Sequence, residues 1–188
     1  LAKTAYFDCF SGASGDMILG ALLDAGLPDR AVRDALGSLA IEYGEVSSAR
    51  VLRSGISATK FSVGVRDRQA VAPAVHAHPP DHHRYEHYTH AHVHGSGPSP
   101  HHDHHSLTDI ARYIERSALS REGKDRAVHL FRRLAEAEAA IHDMPVDSVH
   151  LHEVGAVDSI IDIVGAVYGM EWLGVDNVVA SPLNVGSG

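Results

Sequence analysis

Cysteine is nearly absent from this 188-residue sequence. Cys9 stands alone, which excludes an internal disulfide framework and fits a reducing cytoplasm, the expected location. Long apolar runs are missing as well. The best candidate, Ile160 to Met170, is interrupted by Asp162 and falls short of the ~18 residues a membrane span needs, so no membrane partner is expected. The start, Leu1-Ala-Lys-Thr-Ala, has no initiating Met and no charged start, apolar centre and small-residue cleavage site, so it reads as trimmed or as internal to a longer frame. Positive charge is scarce: 16 Lys and Arg face 24 Asp and Glu, a net charge of −8 with histidines neutral. That balance gives a nucleic-acid backbone nothing to hold, and nucleic acid is not an expected partner.

What abounds is histidine. Twelve of 16 lie between His76 and His105: His76, His78, His82, His83, His87, His90, His92, His94, His101, His102, His104 and His105. Neutral imidazole ligates nickel, zinc, copper and iron, and many imidazoles on one loop offer overlapping ligand sets. A pH-sensitive linker is the bland alternative; a tag is disfavoured because the run is internal and mixed with Asp, Tyr, Glu and Thr. Residues 70–105 also hold Pro73, Pro79, Pro80, Pro98 and Pro100 with few apolar anchors, so a disordered metal-binding loop is expected. Its affinity should fall in mild acid, where protons compete for the same nitrogens.

Periodicity organises the rest. A strand is expected over Ala5 to Phe10. A helix follows from Asp16, with Met17, Ile18, Ala21, Leu22 and Ala25 inward and Gly26 past its end. A second helix near Pro28 carries Val32, Leu36 and Leu39. Alternating residues between Glu42 and Asp67 predict a hairpin turning at Arg53-Ser54-Gly55. Ser106-Leu-Thr-Asp109 resembles a capping box. A helix after Ser120 ends before Pro145, with Ala127, Leu130, Phe131, Leu134, Ala137 and Ile141 inward. The segment Ala156 to Leu173 predicts a far more apolar helix, and Val178 to Ala180 a closing strand. The pattern reads as α/β or α+β, a small sheet with packed helices. It divides into a 1–69 segment with the hairpin, the 70–105 loop, and a 106–188 segment completing the same domain.

Two constellations could carry chemistry. In His150-Leu-His152-Glu153-Val-Gly155-Ala-Val-Asp158-Ser-Ile-Ile-Asp162, the two histidines project to one side of an extended segment. Asp158, Asp162, Gly165 and Gly169 then form a narrow helical stripe amid Ile and Val. Such carboxylates need a cation, a hydrogen-bond donor or a polar cavity. The glycines leave room for something to approach the backbone. Histidine, Glu and Asp are the mixed ligands of divalent-metal sites; helix capping by Asp158 and an arginine partner for Asp162 are the structural alternative. The second constellation is Asp8-Cys9-Phe10-Ser11-Gly12-Ala13-Ser14-Gly15-Asp16. Ser11, Gly12, Ser14 and Gly15 at a strand-to-helix turn could present N–H groups to an anion, or could simply form a tight turn with Ser14 as N-cap. Asp8 and Asp16 could converge on one ion, with Cys9 between them a small buried apolar residue.

Taken together, Tyr6-Phe-Asp8-Cys-Phe-Ser11-Gly12-Ala-Ser-Gly15-Asp16-Met17, the internal His/Asp loop and His152-Glu153-Val-Gly155-Ala-Val-Asp158-Ser-Ile-Ile-Asp162 closely resemble the LarC family, the nickel-insertion proteins of nickel-pincer cofactor biosynthesis. The resemblance implies delivery of Ni²⁺ to pyridinium-3,5-bisthiocarboxylic acid mononucleotide, with formation of metal–carbon and metal–sulfur bonds. It further implies use of CTP with Mn²⁺ or Mg²⁺ through a C-terminal domain, or a partner chain in its place, and admits a homo-oligomer. Relatives continue beyond the point matching Gly188. In this reading Asp8, Asp16, Glu153, Asp158 and Asp162 are the candidate catalytic acids, and His150 and His152 join the loop histidines as metal ligands. A non-enzymatic nickel or zinc store or metallochaperone is the alternative. A metal-dependent hydrolase built on His150, His152 and Asp158 lacks any marked nucleophile.

Overall fold

The computed structural model describes residues 1–10, 12–39, 41, 45–53, 55–64, 106–149, 151 and 157–183. The chain divides into two units, and every described residue belongs to the first, Leu1–Arg66 with Asp103–Gly188. The histidines from 76 to 105 lie outside the described residues, as do Ser11, His150, His152 and Glu153.

The unit is mixed α/β, with five α-helices and two small sheets among the described residues. Strand β1 (Thr4–Phe7) leads to α1 (Gly15–Asp24) and α2 (Asp29–Gly37). The antiparallel hairpin of β2 (Val46–Arg53) and β3 (Ile56–Val63) follows, paired from Val46↔Val63 to Arg53↔Ile56. Helices α3 (Leu107–Arg116), α4 (Arg121–His142) and α5 (Val157–Leu173) precede β4 (Asn177–Ala180). First and last strands pair in parallel, Thr4↔Asn177 through Phe7↔Ala180. The expected closing strand therefore sits beside the opening one. β1 is shorter than the expected strand, because a turn in which the Gly12 N–H donates to the Cys9 carbonyl (2.9 Å) ends it.

Local signals explain the helix ends. Ser106 Oγ accepts from the Asp109 N–H at 3.2 Å while Asp109 Oδ2 accepts from the Ser106 N–H at 3.3 Å, the reciprocal capping box. At the end of α1, Leu27 N–H reaches the Leu22 carbonyl (3.0 Å) and Gly26 N–H the Leu23 carbonyl (3.1 Å). That Schellman arrangement needs the left-handed φ of +110° at Gly26.

One core joins Leu19, Leu22, Leu36, Phe61, Ile110, Phe131, Ile160 and Val164, among others, all buried. α5 packs chiefly against α1, α2 and α4 rather than against the β1–β4 sheet. Two expected inward faces are corrected. On α4 the buried residues are Gly123, Ala127, Phe131, Ala135 and Ala139, one row spaced by four, whereas Leu130, Ala137 and Ile141 are exposed. Apart from Phe131 the row is made of small residues, which suits a helix that meets both α3 and α5. On α1 Leu19 and Leu22 are buried, while Met17, Ala21 and Ala25 are exposed.

Candidate functional site

α1 is gripped from both sides by close approaches. A Cβ on Gly20 would stand 2.2 Å from the Thr59 carbonyl oxygen of β3. On the opposite flank, a Cβ on Gly165 of α5 would stand 2.9 Å from Leu19 Cδ2, and one on Gly169 would stand 2.9 Å from both Leu22 and Leu27. The α5 glycines do admit something, as expected, but it is leucine from α1 and its following turn. The third meeting in this seam is polar. A Cβ on Gly15 would come within 2.2 Å of the Asp162 carboxyl carbon, so the Asp162 side chain lies directly over Gly15.

The pairs 15–162, 19–165 and 22–169 ascend together, so α1 and α5 run in the same direction. Their N-terminal ends therefore share one end of the seam, with Asp16 in the first turn of α1 and Asp158 in the first turn of α5. Asp16 and Asp158 are exposed; Asp162 is half-buried between the helices. Burial first, then the negative charges of Asp16 and Asp158, push the Asp162 carboxyl up to about 6 from an ordinary 3.8. Ser14 Oγ donates to Asp16 Oδ1. Ser14 thus occupies the N-cap position without capping by its side chain.

Three other carboxylates of the unit are satisfied. The Thr59 hydroxyl and N–H, joined by Arg50, hold Asp24 below its ordinary value. Arg33 and Ser48 do the same for Asp29. Glu171 accepts from the Ser120 N–H and hydroxyl. Among the described residues Asp162 has no such donor and no arginine partner. An acid held over a helix start without a counter-charge, with two more acids at its side, attracts cations.

Of the acids singled out in the sequence, the structure brings Asp16, Asp158 and Asp162 together. Asp8 Oδ1 accepts from the Phe10 N–H at 3.3 Å, and Asp8 lines a cleft of about 500 Å³ along β1 and the Met17–Ala21–Ala25 flank of α1. Gly12 also lines this cleft; Asp16, Asp158 and Asp162 do not. Cys9 is buried and its Sγ lies 3.8 Å from the Phe7 carbonyl, a packing role. Among the described residues no three His, Cys, Asp or Glu side chains are grouped as a metal-ligand set. The role of Gly15, as the surface against which Asp162 rests, was not visible in the sequence, where it read as part of an anion-binding turn.

The family model described as nickel insertion protein matches residues 5–188. The chain belongs to that family. Among curated relatives of this nickel insertion chain, one from Geobacillus kaustophilus is named pyridinium-3,5-bisthiocarboxylic acid mononucleotide nickel insertion protein. It is 39% identical over 186 residues, 99% of this chain and 40% of its own length. A protein of the same name from Desulfitobacterium hafniense is 40% identical over 186 residues, 99% of this chain and 38% of its own. A putative nickel insertion protein from Geobacter sulfurreducens is 41% identical over 188 residues, 99% of this chain and 40% of its own. The chain spans about two fifths of the length of these relatives. No solved structure matches it.

Proposed function

We propose that this chain is the metal-handling part of a nickel insertion protein that delivers Ni²⁺ to pyridinium-3,5-bisthiocarboxylic acid mononucleotide. The family match over residues 5–188 carries this reading. In it the histidines from His76 to His105 capture Ni²⁺, and His150, His152 and Glu153 pass it toward Asp158 and Asp162. Nitrogen and oxygen donors suit transfer: Ni²⁺ exchanges from them onto the sulfur of two thiocarboxylates, which a closed thiolate cage would oppose. Forming the metal–carbon bond releases one proton from the pyridinium ring. A carboxylate titrating near 6 is matched to accept it at neutral pH and to return it to solvent. This is a metal-insertion step of the lyase type in a cytoplasmic protein. Use of CTP with Mn²⁺ or Mg²⁺, a C-terminal domain or partner chain, and homo-oligomer formation belong to the same proposal; they are assigned to the part of the relatives that this chain does not match. With a net charge of −8, nucleic acid has no place in it.

The test is nickel insertion into the dithiolated mononucleotide, followed by mass spectrometry, with the unmatched portion of a relative and CTP supplied. Asp162→Asn should abolish insertion and leave total bound nickel nearly unchanged, because the loop imidazoles remain. Insertion at the normal rate by the folded variant removes Asp162 from the mechanism. Nickel binding with no insertion by the unaltered chain would favour the store or metallochaperone reading.

A further inference from the structure

The β1–β4 sheet is unfinished. In a parallel ladder each residue directs both its N–H and its C=O to the same side, and the sides alternate along the strand. Here Lys3 C=O accepts from Asn177 N–H (3.1 Å), Phe7 C=O accepts from Ser181 N–H (2.9 Å), and Cys9 N–H donates to Ser181 Oγ (2.8 Å). The odd residues therefore face β4. The backbone groups of Thr4, Tyr6 and Asp8 face the opposite edge, where none of the described residues bonds to them.

The 500 Å³ cleft runs along that edge. Side chains alternate between faces of a strand, so a cleft touched by every residue from Lys3 to Cys9 follows the backbone edge rather than one face. Its other wall is the row Met17, Ala21 and Ala25. That row has the helical spacing of a core face, yet Met17 is 55% exposed. Tyr6, at 64%, and both valines of β4 are exposed as well. Parallel sheets are stable when covered on both faces and when longer than two strands; this one has two strands among the described residues, and only Ala5 and Phe7 of β1 pack against the core.

We infer that the open edge of β1 is a docking site for one further β-strand, seated between Thr4–Asp8 and the Met17–Ala21–Ala25 row, and that polypeptide from the unmatched part of the family's length supplies it. The relatives carry about three fifths of their length outside the matched segment, ample for a strand and its connection. The N–H and C=O row, unpaired among the described residues, calls for a backbone, and the small, apolar wall calls for alternating apolar side chains. A second copy of this chain is the competing occupant, separated by the test.

The experiment is amide hydrogen exchange by NMR on the 188-residue chain, across a dilution series and with strand-length peptides (about 10 residues) tiling the unmatched region of the Geobacillus kaustophilus relative. One peptide should slow the Tyr6 and Asp8 amides about tenfold while Ala5 and Phe7, already paired with β4, change little. Tyr6→Pro, which removes an N–H on the open edge, should abolish binding with Ala5 and Phe7 still protected. If that variant loses their protection, Thr4→Pro serves in its place. The inference is overturned if no peptide slows Tyr6, if the proline variant binds as well as the parent, or if Tyr6 slows with rising chain concentration alone, which assigns the edge to a second copy.

Discussion

Replacing Asp162 with Asn removes one negative charge from the seam between α1 and α5 while nearly keeping its shape. The folded carboxyl titrates near 6 against an ordinary 3.8, so between those values the folded state binds more protons than the unfolded state. Stability contributed at this site is therefore greatest below about 3.8, falls as pH rises through the window, and above 6 the full penalty of a charged Asp162 is present. A shift of two units corresponds to about 3 kcal/mol. Asp162 is only half-covered, and screening by water lowers this to about 1–2 kcal/mol. Asp162→Asn should accordingly raise stability by about 1–2 kcal/mol at pH 7, a Tm gain of roughly 2–8 °C for a chain of this size. Near pH 4 the gain should shrink to about a few tenths of a kcal/mol, because the folded parent is then almost wholly protonated and the unfolded carboxyl is only about half ionised. Scanning calorimetry of the metal-free proteins at the two pH values reads this directly. A gain of equal size at both, or a loss at neutral pH, would refute the account of Asp162 as an uncompensated carboxylate.

Gly15→Ala pushes a methyl group into the Asp162 carboxyl and should cost about 1–3 kcal/mol; adding Asp162→Ala should recover most of it, and strictly additive losses in urea unfolding would contradict the contact. Ser106→Ala removes the capping box of α3 and should cost about 1 kcal/mol, again by urea unfolding, with a neutral result dismissing that cap. Deleting residues 76–105 should remove most nickel equivalents measured by equilibrium dialysis and leave the metal-free Tm unchanged; unchanged nickel content would sink the loop assignment. In the intact chain, bound nickel should fall as pH drops through about 6.5, where imidazole takes up protons.

Much of the architecture was legible because its signals are local. Ser106 and Asp109 announce a helix start, Gly26 before Leu27 a helix stop, and the alternation on either side of Arg53 a hairpin. A strand at each end of the helical array was also readable from short apolar segments, whereas their direct parallel pairing is a finding of the structure. The errors share one cause. Helical spacing says which residues lie on one face but not which partner that face meets, so Leu130 and Ile141 on α4, and Met17 and Ala21 on α1, were placed inside. The site was half-readable for a related reason. Asp162 stands out as a charge amid Ile and Val, and its raised pKa with no arginine partner among the described residues makes it a candidate. Its resting place over Gly15 depends on a contact between residues nearly the whole chain apart, which no spacing rule reaches.

The seam between α1 and α5 also fixes how the acid behaves over time. Three pairs, 15–162, 19–165 and 22–169, span seven residues on each helix and interlock a bulky group with a glycine at every step, the bulky partner alternating between helices at the first pair and the next. Sliding either helix by one position would drive side chains into backbone at all three, so the helices have a single mutual setting. Among the described residues, Asp162 is thus kept in place by the shape of its neighbours rather than by bonds to its own oxygens. A carboxylate seated in that manner can gain or lose a proton without any need for the two helices to move apart.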